Sequence, residues 1–236
     1  MKIQYIFDVD GTLTPSRQRI DTEFKFWFRT FCQYNDVYVV TGSDREKTLE
    51  QLTHDIYYRC KRAYQCSGND VWEQDNHIRS TEFKLTDQLY KDLNEEVSNS
   101  KFYQKNGKHI DERVGLANFS IPGRGIDLEL RSMYRQWDEH KNERYDIAKR
   151  LTEKHPEYEF KVAGETGIDI SYKGNNKSII LNDFNYTDTI YFFGDKTLLG
   201  GNDHEIALAV SDRLGKNKTF TVSDWRHTWK LLRSLE

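Results

Sequence analysis

Apolar residues in this chain fall into two rhythms: short unbroken runs, and longer stretches in which they recur every three or four positions. Ile3 to Phe7, interrupted only by Gln4, comes close to the first kind and predicts a buried strand that stops at an acidic loop. Phe24, Trp27, Phe28 and Phe31 stand at i, i+3, i+4 and i+7, which predicts a helix from about Asp21 to Tyr34 with one buried face. Val37 to Val40 reads as a second buried strand, and Ser43-Asp44-Arg45-Glu46 has the form of a capping box opening another helix. Strand, helix, strand, helix implies a parallel sheet. The rhythm returns near the C-terminus: a helix from about Asn176 to Phe184, a strand Ile190 to Phe193, a helix from Asp203, a strand Thr219 to Val222 and a last helix opened by Ser223.

Between about Ser80 and Gly174 the pattern changes. Two long helical patterns, Leu85 to Ser98 and Met133 to Lys154, accompany short strands around Ile110 to Ser120, Phe160 to Ala163 and Asp169 to Tyr172. The chain is therefore expected to be α/β, with a core of residues 1–80 and 175–236 and an inserted α+β domain of residues 81–174. No Pro/Gly/Ser-rich linker occurs, so the joints are short and favour hinge motion over free tumbling.

Composition narrows the function. The formal net charge of -3 gives no basic excess with which to attract nucleic acid. No apolar run is long enough for a membrane span, and Met1 to Asp8 lacks the features of a signal peptide, so a cytoplasmic location is expected. Three cysteines, Cys32, Cys60 and Cys66, suit reduced thiols; the only pairing the sequence suggests is Cys60 with Cys66. The seven histidines show no ligand spacing, which argues against zinc.

The chemistry is concentrated in Phe7-Asp8-Val9-Asp10-Gly11-Thr12-Leu13-Thr14, directly after the first strand. Alternate carboxylates on an extended chain share one side, and Gly11 permits a sharp turn. Two carboxylates at a strand end suit a hard cation such as Mg2+, which would neutralise charge that otherwise keeps an anionic nucleophile from a phosphate. Asp8 is then the nucleophile, and Asp10 the group that exchanges protons with the leaving or attacking oxygen.

These residues resemble the first motif of the haloacid dehalogenase superfamily, and the resemblance continues in order along the chain. Thr41 matches its phosphate-binding Ser/Thr and Lys177 its lysine. Gly194-Asp195 with Asn202-Asp203 matches its acidic metal motif, in which Asp195 joins Asp8 and Asp10 as a metal ligand and Asn202 and Asp203 stand behind them. The implied core is Rossmann-like, with these stations converging on the crevice at the C-terminal ends of the strands.

A narrower similarity, to the eukaryotic-type phosphomannomutase family, rests on Arg17-Gln18, Gly42-Ser43-Asp44, and Phe192 to Thr197 with Gly200 to Glu205. It also rests on Arg113-Val114-Gly115-Leu116, Asn118, Ser120, Gly123-Arg124, Arg131 and Asp169 in the insert. It is loosest in stretches taken as helical, around Tyr57 to Tyr90 and Met133 to Tyr158. The resemblance implies isomerisation of a hexose phosphate, mannose foremost, through an aspartyl-phosphate, with a hexose 1,6-bisphosphate as activator and a homodimer formed through the cap. Arg17, Arg113, Arg124 and Arg131 would grip phosphate bidentately, and Asp169 the sugar hydroxyls. Two positions depart from the family pattern: Thr41 stands where the family has glycine, and Gly167 where it has serine. Both keep a sugar-phosphate phosphatase on the same scaffold as the alternative. An idle carbohydrate-binding protein fits less well, because Asp8, Asp10, Lys177 and Asp195 are all intact.

Overall fold

A computed structural model of the protein describes residues 2–235. The chain divides into two compact units, Met1–Ser80 with Asn176–Glu236, and Thr81–Asn175.

The first unit is built on strands β1 (Ile3–Asp8), β2 (Asp36–Val40), β3 (Arg62–Gln65), β4 (Asp70–Glu73) and β5 (Asn76–Ser80), with helices α1 (Thr22–Tyr34) and α2 (Arg45–Tyr57) between the first three. The second unit carries α3 (Asp87–Asn99), β6 (Lys108–Arg113), β7 (Leu116–Arg124), α4 (Leu128–Lys141), α5 (Glu143–Lys154), β8 (Tyr158–Ala163) and β9 (Gly167–Tyr172). The chain then returns to the first unit with β10 (Thr189–Gly194), α6 (His204–Ser211), β11 (Lys218–Thr221) and α7 (Trp225–Leu235).

In the first unit the sheet order is β11-β10-β1-β2-β3-β4-β5. β1 pairs in parallel with β2 on one side and β10 on the other, so the chain reverses its direction of winding at β1. Open α/β sheets bind ligands at such a switch point, beyond the carboxyl ends of the strands. Successive side chains alternate between two cores, one on each face of the sheet: Tyr5, Phe7, Val37, Val39 and Phe193 join one with α1, while Ile6, Val40, Ile190 and Phe192 join the other with α6. Phe24 of α1 packs on Trp225 and Trp229 of α7, closing the first core.

Several local expectations are corrected. The residue that caps α2 is Asp44, whose side chain accepts from the Lys47 amide at 2.9 Å; Ser43 is drawn away because its own amide donates to the Thr41 hydroxyl. The segment expected as a helix from Asn176 is a 3-10 turn, Lys177–Asp183, too short and too rich in β-branched isoleucine for a full helix. The stretch from Tyr57 to Tyr90, read as helical, contains the antiparallel strands β3, β4 and β5, and every residue of β5 is exposed, so no alternation marked it.

The second unit is a four-stranded antiparallel sheet in the order β6-β7-β9-β8, covered by helices around Leu89, Phe119, Tyr134, Leu151 and Ile168. The expected strand over Ile110 to Ser120 is two strands of a hairpin, and the expected helix over Met133 to Lys154 breaks at Asn142, which adopts a left-handed conformation (φ 53°). The break is held by Asp138. Its buried carboxylate accepts from the Arg144 amide at 2.8 Å and from Arg144 Nε at 2.7 Å, which starts α5 afresh. Arg144 Nη1 then donates to the carbonyls of Ala163, Gly164 and Gly167, where β8 turns into β9. Arg144→Met should therefore cost about 3–5 kcal/mol, because it strands a buried carboxylate and three backbone groups at once; urea unfolding would show it. A cost under 1 kcal/mol would contradict this account.

All three cysteines are free and buried. Among the described residues no helix is long and apolar enough to cross a membrane.

Candidate active site

Asp8 is the last residue of β1 and is almost fully buried. Lys177, which opens the 3-10 turn following the second unit, is buried too, and its ammonium donates to Asp8 Oδ1 at 2.6 Å and to Asp203 Oδ1 at 2.6 Å. Asp203 precedes α6 but does not cap it; its second oxygen accepts from the Lys196 amide at 3.2 Å. Asp195, one residue past β10, completes a trio in which Asp8, Asp195 and Asp203 each bring a carboxylate oxygen within 4.8 Å of the others.

Asp8 and Asp203 share the Lys177 ammonium and Asp195 faces Lys196 more strongly than Lys177, so acids outnumber cations in a largely buried site. Burial pushes the Asp8 carboxyl up, and Lys177 offsets this only partly while Asp203 and Asp195 add to it. Burial alone would lower the Lys177 ammonium, but Asp8 and Asp203 outweigh that and hold it well above the usual lysine value. Burial likewise raises Asp195. Asp8 Oδ2 is buried and has no hydrogen-bond partner among the described residues. An orphaned carboxylate oxygen inside an acid-rich trio is a setting suited to a divalent cation.

Gly11 lets the trio assemble. It sits at φ +83°, and a Cβ there would lie 2.5 Å from Asp195 Oδ2. Gly11→Ala should cost about 1–2 kcal/mol in backbone strain and push Asp195 aside, so Mn2+ affinity measured by titration should fall at least tenfold. Unchanged affinity would exclude this role for Gly11.

The sequence grouped Asp10 with the metal ligands and set Asp203 behind them. The structure places Asp203 in the trio, while Asp10 Oδ1 accepts from the Arg17 amide at 2.5 Å and from Gln51 Nε2 at 2.9 Å, leaving only Oδ2 open. The Arg17 guanidinium is exposed and makes no hydrogen bond or ion pair among the described residues. Thr41 follows β2 and is buried, and its hydroxyl accepts from the Ser43 amide at 3.1 Å. The loop Thr41–Ser43 is zipped to the one after β3: Cys66 N donates to Ser43 O, and Ser67 N to Thr41 O. Cys66 and Ser67 adopt left-handed backbones (φ 49° and 58°), strain tolerated where a loop must be held in place. Neither Gln51 nor this brace was legible beforehand, since a glutamine on a helix and a Cys-Ser pair carry no motif.

In the second unit, Arg113 Nε donates to Asp111 Oδ2 at 2.9 Å, Arg124 bonds the same oxygen closely, and Lys108 reaches Oδ1 at 3.0 Å. Burial would raise the Asp111 carboxyl, but Arg124 and Lys108 hold it below the usual range. Three cations on one carboxylate leave a positive surplus, the reverse of the Asp8 trio. Arg131 lies apart from them on Glu165, at 3.3 Å. Asp169 stands across the sheet from Asn118, which in turn faces Asp111. Asn118 Nδ2 donates to Asp169 Oδ1 at 2.7 Å, and burial raises the Asp169 carboxyl. Asp111, Lys108 and Glu165 were missed because single charges on short strands and turns look like ordinary solvated surface.

A strand-end aspartate held by a buried lysine, beside two further aspartates at a switch point, occurs here on a haloacid dehalogenase-like fold. A haloacid dehalogenase-like hydrolase from Bacteroides thetaiotaomicron has a similar structure (TM-score 0.64, 12% identity, covering 100% of this chain and 99% of that one). So does the trehalose-6-phosphate phosphatase of Aspergillus fumigatus (TM-score 0.56, 16% identity, covering 100% and 93%). The chain itself belongs to the eukaryotic phosphomannomutase family, whose pattern it matches over residues 25–231. A phosphomannomutase from Triticum aestivum is 32% identical over 210 residues, covering 85% of this chain and 84% of that protein.

Proposed function

We propose that the protein interconverts hexose 6-phosphate and hexose 1-phosphate, with mannose as the hexose, through a phosphoryl group carried on Asp8. The observation that carries this reading is the buried Asp8–Lys177–Asp203 contact in a chain of the phosphomannomutase family. A hexose 1,6-bisphosphate supplies the first phosphoryl group. The Asp8 carboxylate attacks phosphorus, the bond to the sugar oxygen breaks, and Asp10 gives that oxygen a proton. A monophosphate then presents its free hydroxyl, Asp10 takes the proton, and the phosphoryl group leaves Asp8 for the sugar, so the bisphosphate is regenerated. Lys177 and the Thr41 loop orient and stabilise the transferring oxygens.

Asp8 and Asp195, with Asp203 beside them, would hold Mg2+, which supplies charge neutralisation to the phosphoryl group. Arg17, Arg113, Arg124, Arg131 and Asp169 are the proposed sugar-phosphate contacts, and we place the enzyme in the cytoplasm as a homodimer formed through the second unit. The positive surplus around Asp111 supports an anionic ligand there.

Phosphorus NMR of mannose 1-phosphate with Mg2+ and a trace of glucose 1,6-bisphosphate tests the reading. Mannose 6-phosphate should form, and only with the bisphosphate present. Free phosphate without isomerisation would make the protein a sugar-phosphate phosphatase, the reading that the threonine at position 41 favours.

A further inference from the structure

We propose that Gln51 is a positioning residue that fixes which oxygen of Asp10 handles the proton; this rests on the acid–base role proposed for Asp10. Gln51 lies on α2 and is almost fully buried. Its Nε2 spends both hydrogens on the nucleophile loop, one on Asp10 Oδ1 at 2.9 Å and the other on the Thr14 hydroxyl at 3.2 Å. The Thr14 hydroxyl lies 3.3 Å from the Val9 carbonyl, to which it donates, so a single amide spans the loop from Val9 to Thr14. The amide cannot be reversed, because its carbonyl would then face the Asp10 carboxylate.

The consequence lies in the count of acceptors. Asp10 Oδ1 receives two N–H donors, from Gln51 and from the Arg17 backbone, which uses both of its in-plane lone pairs. Oδ2 accepts no hydrogen bond among the described residues. The proton that Asp10 gives or takes is therefore carried on Oδ2, and Gln51 keeps the carboxyl from rotating to exchange the two.

Two further features show that this grip is built in. The regular backbone of α2 is interrupted at Thr53 (φ 65°, ψ 155°), two residues beyond Gln51, and the Gln51 carbonyl accepts from the Ile20 amide at 2.8 Å. The residue thus holds the loop at Asp10 and Thr14 through its side chain and the following segment through its backbone. Meanwhile Gln51 Oε1 is buried with no partner. Packing alone would be served better by leucine or methionine, which fill the space without burying an unpaired carbonyl.

The test compares wild type, Gln51→Met, Gln51→Glu, Asp10→Asn and the double variant Gln51→Met/Asp10→Asn, on hexose phosphate with Mg2+ and bisphosphate. Gln51→Met should lower kcat about 10- to 100-fold, the scale of a misplaced proton-transfer group, with KM changed less than about threefold. Gln51→Glu keeps the shape, loses the donor and should fall with it. The decisive reading is the double variant: a residue that acts through Asp10 has no further effect once Asp10 is gone, so it should match Asp10→Asn within about twofold. Losses that multiply would show a separate structural role, and wild-type kcat in Gln51→Met would show no role; either overturns the inference. If wild type releases phosphate instead of isomerising, the mutase reading fails, but the same five-way comparison on phosphate release still decides the role of Gln51. Full activity in Asp10→Asn would overturn both the acid–base assignment and this one.

Discussion

Asp8→Asn should abolish hexose phosphate turnover, by on the order of 10⁴-fold or more, and yet leave the metal-free protein more stable than wild type at pH 8. Both effects have one cause. Asparagine keeps the shape of the side chain but offers no nucleophile, so no aspartyl-phosphate forms. It also removes one of the two carboxylates that share the Lys177 ammonium, beside a third at Asp195. Burial and the neighbouring acids push the Asp8 carboxyl up to about 7 from an ordinary 3.8. At pH 3 both folded and unfolded chains hold the proton and there is no penalty. As pH rises from about 4 towards 7 the unfolded chain releases it first, so stability falls, and the full penalty is present above about 7. Lys177 stays charged through this window and adds no slope. Thermal unfolding in a chelator should show wild type losing stability from pH 5 to pH 8. Asp8→Asn should lose less, and Mg2+ should rescue wild type more at pH 8 than at pH 5. Turnover by Asp8→Asn, or a metal-free wild type that gains stability over this range, would refute the account.

Lys177→Met should have the opposite effect on stability with a comparable loss of activity. The ammonium is buried and each of its two contacts is 2.6 Å long. Methionine matches the stem and deletes the charge, leaving Asp8 and Asp203 facing each other unpaired. Removing one partner of a buried ion pair costs about 3–5 kcal/mol, and here two partners are stranded. The loss should be greatest at high pH and shrink as pH falls and Asp8, whose carboxyl is raised, takes up a proton. Urea unfolding at pH 6 and pH 8 would measure it. A variant as stable as wild type at pH 8 would show that the lysine does not hold the trio together.

The order of elements in the parallel sheet was legible because its central strands are buried on both faces and leave continuous or nearly continuous apolar runs such as Val37 to Val40. The hairpin of β4 and β5 was not, because a strand with every residue exposed has no alternation to read. Helix caps differed from expectation where polar groups were engaged elsewhere: the Ser43 amide by the Thr41 hydroxyl, and the Asp203 carboxylate by Lys177. Asp8, Lys177 and Asp195 could be named from motif and order alone. That the Asp10 carboxylate turns to Gln51 while Asp203 turns to Lys177 depends on rotamers set by residues more than 20 positions away in sequence, which spacing along one chain does not encode.

Gly167 bears on how this sequence could change. A Cβ at that position would lie 2.5 Å from Asn118 Nδ2, the group that donates to Asp169. Installing the serine of the family pattern would therefore dislodge Asn118 before the new hydroxyl could contribute anything. The two positions are coupled: Gly167→Ser is accommodated only if the Asn118 side chain swings clear of the new Cβ and meets Asp169 from another rotamer. The order in which substitutions can be accumulated, by selection or by an engineer, is constrained at this sheet even though each residue taken singly looks replaceable.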